Sequence, residues 1–245
     1  GTTPTDEDFD RLRNNARLTL DEADAIRRFS PIVTSVMAQA QRRGQVVYKD
    51  VTLDSVQIQG VTREYVNFTM FDAERGRMMS PIEVERNRPV AILGWQTADR
   101  LFGHLDPIDK VIRIEGAHVR VVGVSERKGS FLGSSQDEFA VVPLGVFQKL
   151  YGARQSLSLV VKPRDPSLID EAMDDATVAL RVERGLKPAE RDNFGLFTSD
   201  TLLGLYRQAT TGIFAVLVGV VALSLVVGGV VIMNIMLMVV SERTR

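Results

Sequence analysis

Short strand-like and helical segments follow one another over residues 19–198, and an uncharged apolar run then fills 212–240. Together these predict an α+β domain carried on a stalk and a membrane-spanning helix. The run is broken only by Ser224 and Asn234 and closes on Ser241-Glu242-Arg243-Thr244-Arg245. At about 1.5 Å rise per residue it exceeds the roughly 20 residues a helix needs to cross a bilayer. It is too long, and at the wrong end, for a signal peptide. A third observation sets the orientation. Arg243 and Arg245 sit directly at the C-terminal boundary, whereas the flank before the run offers only Arg207 nearby, so the C-terminus is expected in the cytoplasm and the domain outside it.

Composition narrows the chemistry. The 245 residues carry a formal net charge of −1 and no cysteine. The missing thiols remove zinc-thiolate sites, thiol catalysis and disulfides. A balanced surface without a basic stripe argues against nucleic acid as a partner. Gly1-Thr2-Thr3 supplies no leader and the chain stops just past the apolar run, so the sequence reads as an excerpt of a longer chain.

The elements can be justified in order. Residues 1–18 are polar without apolar period. Thr19 followed by Glu22 forms a capping box that opens a short helix over 19–29, and Ser30-Pro31 stops it. Residues 32–40 and 45–60 read as strands, with a turn near Arg43-Gly44. Ser80-Pro81-Ile82-Glu83 repeats the capping box with proline at the first helical position, where a missing N–H costs nothing. Residues 89–93 are a compact strand closed by Gly94, and 96–102 a helix closed by Gly103. Alternating apolar residues over 111–124 about Glu115-Gly116 predict a hairpin. A strand over 139–142, a helix over 144–151 and a strand over 156–162 follow. Ser167 then caps a helix bearing Leu168, Ile169, Ala172, Met173, Ala176, Ala179 and Leu180 up to Gly185, and 194–198 forms another strand. Strand, helix and strand make an α/β unit whose connection is right-handed if the strands are parallel.

Ser199-Asp200 caps a helix that enters the apolar run without a break, giving a stalk over 199–211 and a membrane helix over 212–240. One helix over 201–240 would be roughly 60 Å long, about twice the hydrocarbon thickness. Within it Ala215, Gly219, Ala222, Gly229 and Met233 fall near one line. Small residues are common in membrane helices generally, and they also let a second helix approach closely in a bundle. Asn234, roughly 9 Å inside the cytoplasmic edge, can bond to a neighbouring helix as structural glue.

These residues carry a resemblance. The block from Val226-Val227-Gly228-Gly229 through Asn234-Ile235-Met236-Leu237 to Ser241-Glu242-Arg243-Thr244-Arg245 resembles the second transmembrane helix and the start of the coupling segment in MacB-type ABC transporter permeases, the MacB/FtsX-like family. Gly76-Arg77, Val90-Ala91-Ile92-Leu93-Gly94, Leu101-Phe102-Gly103, the stretch from Asp106-Pro107 to Ile114, and Val141-Val142-Pro143-Leu144 are similar to that family's periplasmic core. The similarity covers nearly all of 19–245. It departs at Asp109, where the family usually carries glycine, and it lacks an expected strand before residue 1 and the first, third and fourth membrane helices.

The resemblance implies an inner-membrane permease with a periplasmic domain over 1–198. A membrane-proximal α/β part would comprise 19–40 and 151–198, with a β-rich insertion over about 41–150, and 241–245 would begin the cytoplasmic coupling segment. It implies an ABC ATPase domain, fused or separate, that holds ATP and magnesium while this chain holds no cofactor. Glu242, Arg243 and Thr244 would contact that ATPase, and Ala215, Gly219, Ala222, Gly229, Met233 and Asn234 would form the helix-packing face. A second permease copy, identical or paralogous, membrane lipid and a periplasmic adaptor are the implied partners.

The residues themselves offer no catalytic constellation. His104 and His118, the only histidines, stand in unlike contexts and read as surface or turn residues. Asp170-Glu171 with Asp174-Asp175 reads as a solvated helix face, and Trp95 as a core or helix-start anchor. Lys128-Gly129-Ser130-Phe131-Leu132-Gly133 lacks the ending that cradles phosphate and reads as a flexible loop, or as the family's contact loop to a partner. Asn67-Phe68-Thr69 fits a glycosylation pattern that means little in bacteria. Two other classes fit parts of the chain: a single-pass receptor or sensor with an external ligand-binding domain, and a membrane-anchored hydrolase, for which no nucleophile and base are arranged.

Overall fold

The computed structural model describes residues 17–68, 72–131 and 134–196, together with 217, 218, 220–222, 224, 225, 227–229, 232, 233 and 236. The chain divides into two units, 1–195 and 196–245.

The first unit is organised around one long strand. Helix α1 (Leu20–Phe29) leads into β1 (Val33–Tyr48), which turns at Lys49-Asp50 into β2 (Val51–Val61). A 3-10 turn (Arg63–Asn67), β3 (Ala73–Gly76), α2 (Pro81–Glu85), β4 (Val90–Leu93) and α3 (Trp95–Phe102) follow. Next come β5 (Val111–Ile114), β6 (Ala117–Ser125), the two-residue strands β7 (Ser130–Phe131) and β8 (Ser134–Ser135), and β9 (Phe139–Pro143). Helix α4 (Leu144–Tyr151), β10 (Ser158–Pro163), a 3-10 turn (Pro166–Leu168) and α5 (Ile169–Glu183) complete the unit. The result is an α+β fold, as the sequence predicts.

The main sheet runs β10-β1-β2-β9-β4-β6-β3, and β5 pairs with both β6 and β1. That second pairing closes a ring of six strands, β1-β2-β9-β4-β6-β5. Closure needs β1 to bend, and the register shifts between Gly44 and Val46, where one strand carries an extra residue. Val46 and Val47 then pair with Ile114 and Arg113 of β5. The turn predicted near Arg43-Gly44 is not formed: β1 runs on through both residues, and the extra residue lies opposite, where Asp54 and Ser55 of β2 face Gln45. Glycine stands at position 44 because a Cβ would lie 2.1 Å from Tyr151 Oη and 2.7 Å from Glu115 Oε1. Glu115 Oε1 in turn accepts the Gln45 N–H at 2.7 Å. The predicted hairpin at Glu115-Gly116 is present, and both residues have positive φ, 47° and 85°, as a two-residue hairpin turn of this hand requires. Asp109, where the resembling family usually has glycine, also has positive φ, 60°.

Three apolar clusters follow from this strand order. Inside the ring, Val46, Val56, Ile58, Leu93, Ile112, Ile114, Val119 and Val121 meet Phe102 of α3 and Phe147 of α4. Against the β1/β10 end, α1 and α5 pack Ala23 and Ile26 on Ala172, Ala176, Ala179 and Leu180, with Val33 and Val36 as the floor. Tyr65, Met79 and Val84 cover Met37, Val61, Ile92 and Val141. Strand β1 serves the ring and the helical layer together: Val33–Gln39 pair with β10, and Gln39–Tyr48 pair with β2.

Two predicted details differ. Asp165, not Ser167, caps the turn before α5, its carboxylate accepting the Ser167 N–H at 2.9 Å; an ionised carboxylate is the stronger acceptor. Residues 191–196 carry no strand, so the strand predicted from 194 is not formed among the described residues, and β10 pairs antiparallel with β1. Predicted positions 197 and 198 lie outside those residues.

In the second unit, every described residue from 217 to 236 is helical. Val218, Val221, Leu225, Ile232 and Met236 are all more than 60% exposed. The Ser224 hydroxyl donates to the Val220 carbonyl at 2.9 Å, satisfying itself within its own helix. Among the described residues no helix is long and apolar enough to cross a membrane. Most of the predicted stalk and membrane helix lies outside them.

Gly60 tests the ring packing. A Cβ there would lie 2.4 Å from Cβ of Phe147, which is fully buried. Gly60→Ala is expected to lower stability by about 2 kcal/mol, read by urea unfolding. The α2 cap yields a pH prediction. Glu83 accepts from Arg77 through both oxygens at 2.7 Å and from the Ser80 N–H at 2.9 Å. The Arg77 bonds foremost hold its pKa at about 2, below the ordinary 4.5. A depressed carboxyl pKa contributes stability above the ordinary value and loses it as pH falls through the folded one. Glu83→Gln should therefore shrink the stability lost between about pH 5 and pH 2 by about 1 kcal/mol, a figure reduced for solvent screening at exposed Arg77.

Candidate coupling and contact sites

Within the segment that the sequence reads as a flexible or contact loop, two short strands pair, Ser130 with Ser135 and Phe131 with Ser134, while Leu132 and Gly133 lie outside the described residues. The base of this segment is held by Asp137, a carboxylate only 3% exposed. One Asp137 oxygen accepts the Lys128 N–H at 2.9 Å and the other the Gly129 N–H at 2.6 Å. The Asp137 carbonyl accepts from Gln96 and Thr97 at the start of α3, and the Gln136 N–H donates to the Gly129 carbonyl at 3.0 Å. Gly94 lets the Asp137 carbonyl approach, since a Cβ would stand 2.2 Å from it. The Arg127 guanidinium lies 4.6 Å over the Trp95 ring at the same helix start. A buried carboxylate that takes two backbone donors holds the start of this segment to α3. Sequence reasoning passed over Asp137. No local pattern marks it, since it stands two residues before β9 and eight beyond Gly129.

Between α1 and the ring lies a groove of about 510 Å3, lined by Arg27, Arg63, Glu64, Glu85, Asn87 and Gln148 among others. Its charges are already paired: Arg27 meets Glu64 at 3.3 Å and Arg63 meets Glu64 at 3.0 Å. Its lining sets no nucleophile beside a base.

His104 and His118 are both exposed and lie apart. Among the described residues no group of three or more His, Cys, Asp or Glu side chains could hold a metal ion. In the acidic helix, Asp175 accepts the Ser30 hydroxyl at 2.6 Å, tying α5 to the end of α1. Trp95 begins α3 and is half-buried. Of the predicted packing face, Ala222, Gly229 and Met233 are helical and exposed, and a Cβ at Gly229 would meet nothing within 4 Å. Ala215, Gly219, Asn234, Glu242, Arg243 and Thr244 lie outside the described residues.

The described residues form a small ring of strands joined by one shared strand to a two-helix layer. Residues 2–179 match the MacB-like periplasmic core domain, and the chain belongs to that family. It is 29% identical over 231 residues to the macrolide export ATP-binding/permease protein MacB of Bdellovibrio bacteriovorus, a match covering 94% of this chain and 35% of the relative. It is 31% identical over 173 residues to the MacB of Rhodospirillum rubrum, covering 69% of this chain and 26% of the relative. The chain thus spans about a third of the curated relatives it matches. Its fold is similar to the periplasmic region of MacB from Actinobacillus actinomycetemcomitans, at TM-score 0.68 and 20% identity over 81% of this chain and 87% of that one. The extracellular domain of the ABC-type transporter YknZ from Gram-positive bacteria is also similar, at TM-score 0.61 and 22% identity over 76% and 93%.

Asp137→Ala leaves two backbone donors without their anion. The substitution is expected to cost about 2 kcal/mol and to raise amide exchange at Lys128 and Gly129 more than tenfold, measured by hydrogen exchange.

Proposed function

We propose that this chain is the periplasmic domain and second membrane helix of an ABC exporter permease, which couples ATP hydrolysis in the cytoplasm to movement of the domain and extrusion of substrate. The observation that carries this reading is the family match over 2–179, followed in the same chain by the uncharged run over 212–240. The exposed valines, leucines and methionines at the described helical positions of that run support it. Such side chains need lipid or neighbouring helices around them. The relatives' names, which pair an ATP-binding part with a permease, support an ATPase domain as the energy source.

In this reading the domain stands on the outer side of the bacterial inner membrane and the C-terminus in the cytoplasm. The ATPase, carrying ATP and magnesium, dimerises on nucleotide and pushes on Glu242, Arg243 and Thr244. The helix over 199–240 carries the push outward, a role suited to a continuous hydrogen-bonded rod. A second permease copy packs on the face of Ala215, Gly219, Ala222, Gly229, Met233 and Asn234. Residues 19–40 with 151–198 form the membrane-proximal part and about 41–150 the β-rich part, joined through β1. The segment over 128–135 serves as contact surface for a periplasmic adaptor. Nothing in the site chemistry favours the receptor or hydrolase readings.

Inserting Gly-Gly-Pro beside Tyr206 tests the lever. Proline removes a backbone donor and the glycines add freedom. In the full-length transporter reconstituted in vesicles, ATP turnover is expected to persist while export falls about tenfold or more. Export at the parent rate would contradict the lever.

A further inference from the structure

The exit from α5 is wound around two arginines one turn apart. Gly185, at φ 62°, reverses the chain after the helix, and the Arg181 guanidinium then donates to the carbonyls of Lys187 at 2.7 Å and Glu190 at 3.0 Å while pairing with Asp192. Arg184 reaches further. Its side chain is 9% exposed, and its Nε donates to Glu22 Oε1 at 2.5 Å, with the Glu22 side chain 6% exposed. Its Nη1 donates to the Asn193 carbonyl at 2.9 Å and to Asn193 Oδ1 at 2.6 Å. Its Nη2 faces the Arg17 carbonyl at 3.5 Å, and the guanidinium lies 5.6 Å over the Phe194 ring. Glu22 uses its other oxygen to accept the Thr19 N–H at 2.6 Å.

One buried cation therefore touches the backbone just before α1, α1 itself, and the segment that leaves toward the second unit. A buried ion pair is a poor way merely to join two helices, because desolvation cancels most of its attraction and an apolar pair would do as well. The α1/α5 contact already has such packing in Ala23, Ile26, Ala172, Ala176 and Ala179. A guanidinium adds what an apolar side chain lacks: several fixed donors that grip carbonyls on two separate stretches of chain.

We infer that Arg184, seated on Glu22, is the positioning residue that fastens both chain connections of the domain to the α1/α5 layer, so that displacement of the departing segment moves α1 and β1 with it. The inference rests on the ATP-driven reading above, and its test separates the two. Arg184→Lys keeps a cation beside Glu22 but has no fork for Asn193 or Arg17. Asn193→Ala leaves Arg184 and Glu22 intact and removes one grip, which covers the case in which the lysine variant fails to fold. The readout is hydrogen exchange at residues 17–29 in the lipid-reconstituted, full-length transporter, nucleotide-free and trapped with ATP and vanadate. The parent protein is expected to show a nucleotide-dependent change there. In both variants ATPase activity is expected within about twofold of the parent while that change shrinks about threefold or more. An undiminished change in both variants overturns the clamp and leaves the functional reading standing. No change at residues 17–29 in the parent overturns the functional reading, and the clamp with it.

Discussion

The architecture depends on strand β1 serving two layers at once. Its first half pairs with β10 beneath α1 and α5, and its second half pairs with β2 and β5 to close the ring. Side chains of one face pass from the helical layer into the ring interior without interruption: Val36 packs under the helices, and Ala38 and Ala40 face the ring core. Strand β1 is held by β10 over one half and by β2 over the other, with two partners at Gln39, Val46 and Val47, and a one-residue slip would turn every apolar side chain to the wrong face. The two layers are therefore joined by the stiffest connection a sheet offers. Where the ring closes, the Tyr151 hydroxyl and the Glu115 carboxylate crowd Gly44, and the extra residue of β2 opposite Gln45 shifts the register.

From that joint the functional consequences follow in sequence. The helical layer carries the polypeptide's approach and departure, with Arg17 and Asn193 both gathered at Arg184. The ring carries the segment over 128–135, held by Asp137 on the start of α3. In the proposed reading, motion delivered at the departing segment reaches the paired strands over 130–135 through α5, α1, β1 and the ring, which are linked by packed side chains and paired backbone.

Much of this was legible in the residues, and what was not has definite causes. Capping boxes at Thr19 and Ser80, the Glu115-Gly116 turn and Gly103 signal their elements through local backbone chemistry, and each stands where the sequence placed it. Gly44 misled because glycine marks turns and close approaches alike, and only the tertiary neighbours Tyr151 and Glu115 distinguish them. Residues 194–196 alternate like a strand yet form none, since local pattern says nothing about whether a partner edge is present. Asp137 and the Glu22–Arg184 pair were invisible because their partners lie 8 to 162 positions away. The acidic and basic residues concerned look like ordinary surface charge until folding buries them. The family resemblance was legible because it rests on glycines, prolines and apolar strings whose spacing the fold itself demands.

The central claim is that this domain stands outside a membrane crossed by the run over 212–240. The most direct measurement is accessibility of single cysteines in an otherwise cysteine-free, full-length protein in intact cells and inverted membranes, one at Leu225 and one at Lys49 on the β1–β2 turn. The account predicts that a membrane-impermeant maleimide labels position 49 from the outer side only and position 225 from neither. Labelling of position 225 by the aqueous reagent, or of position 49 from the cytoplasmic side, would contradict it.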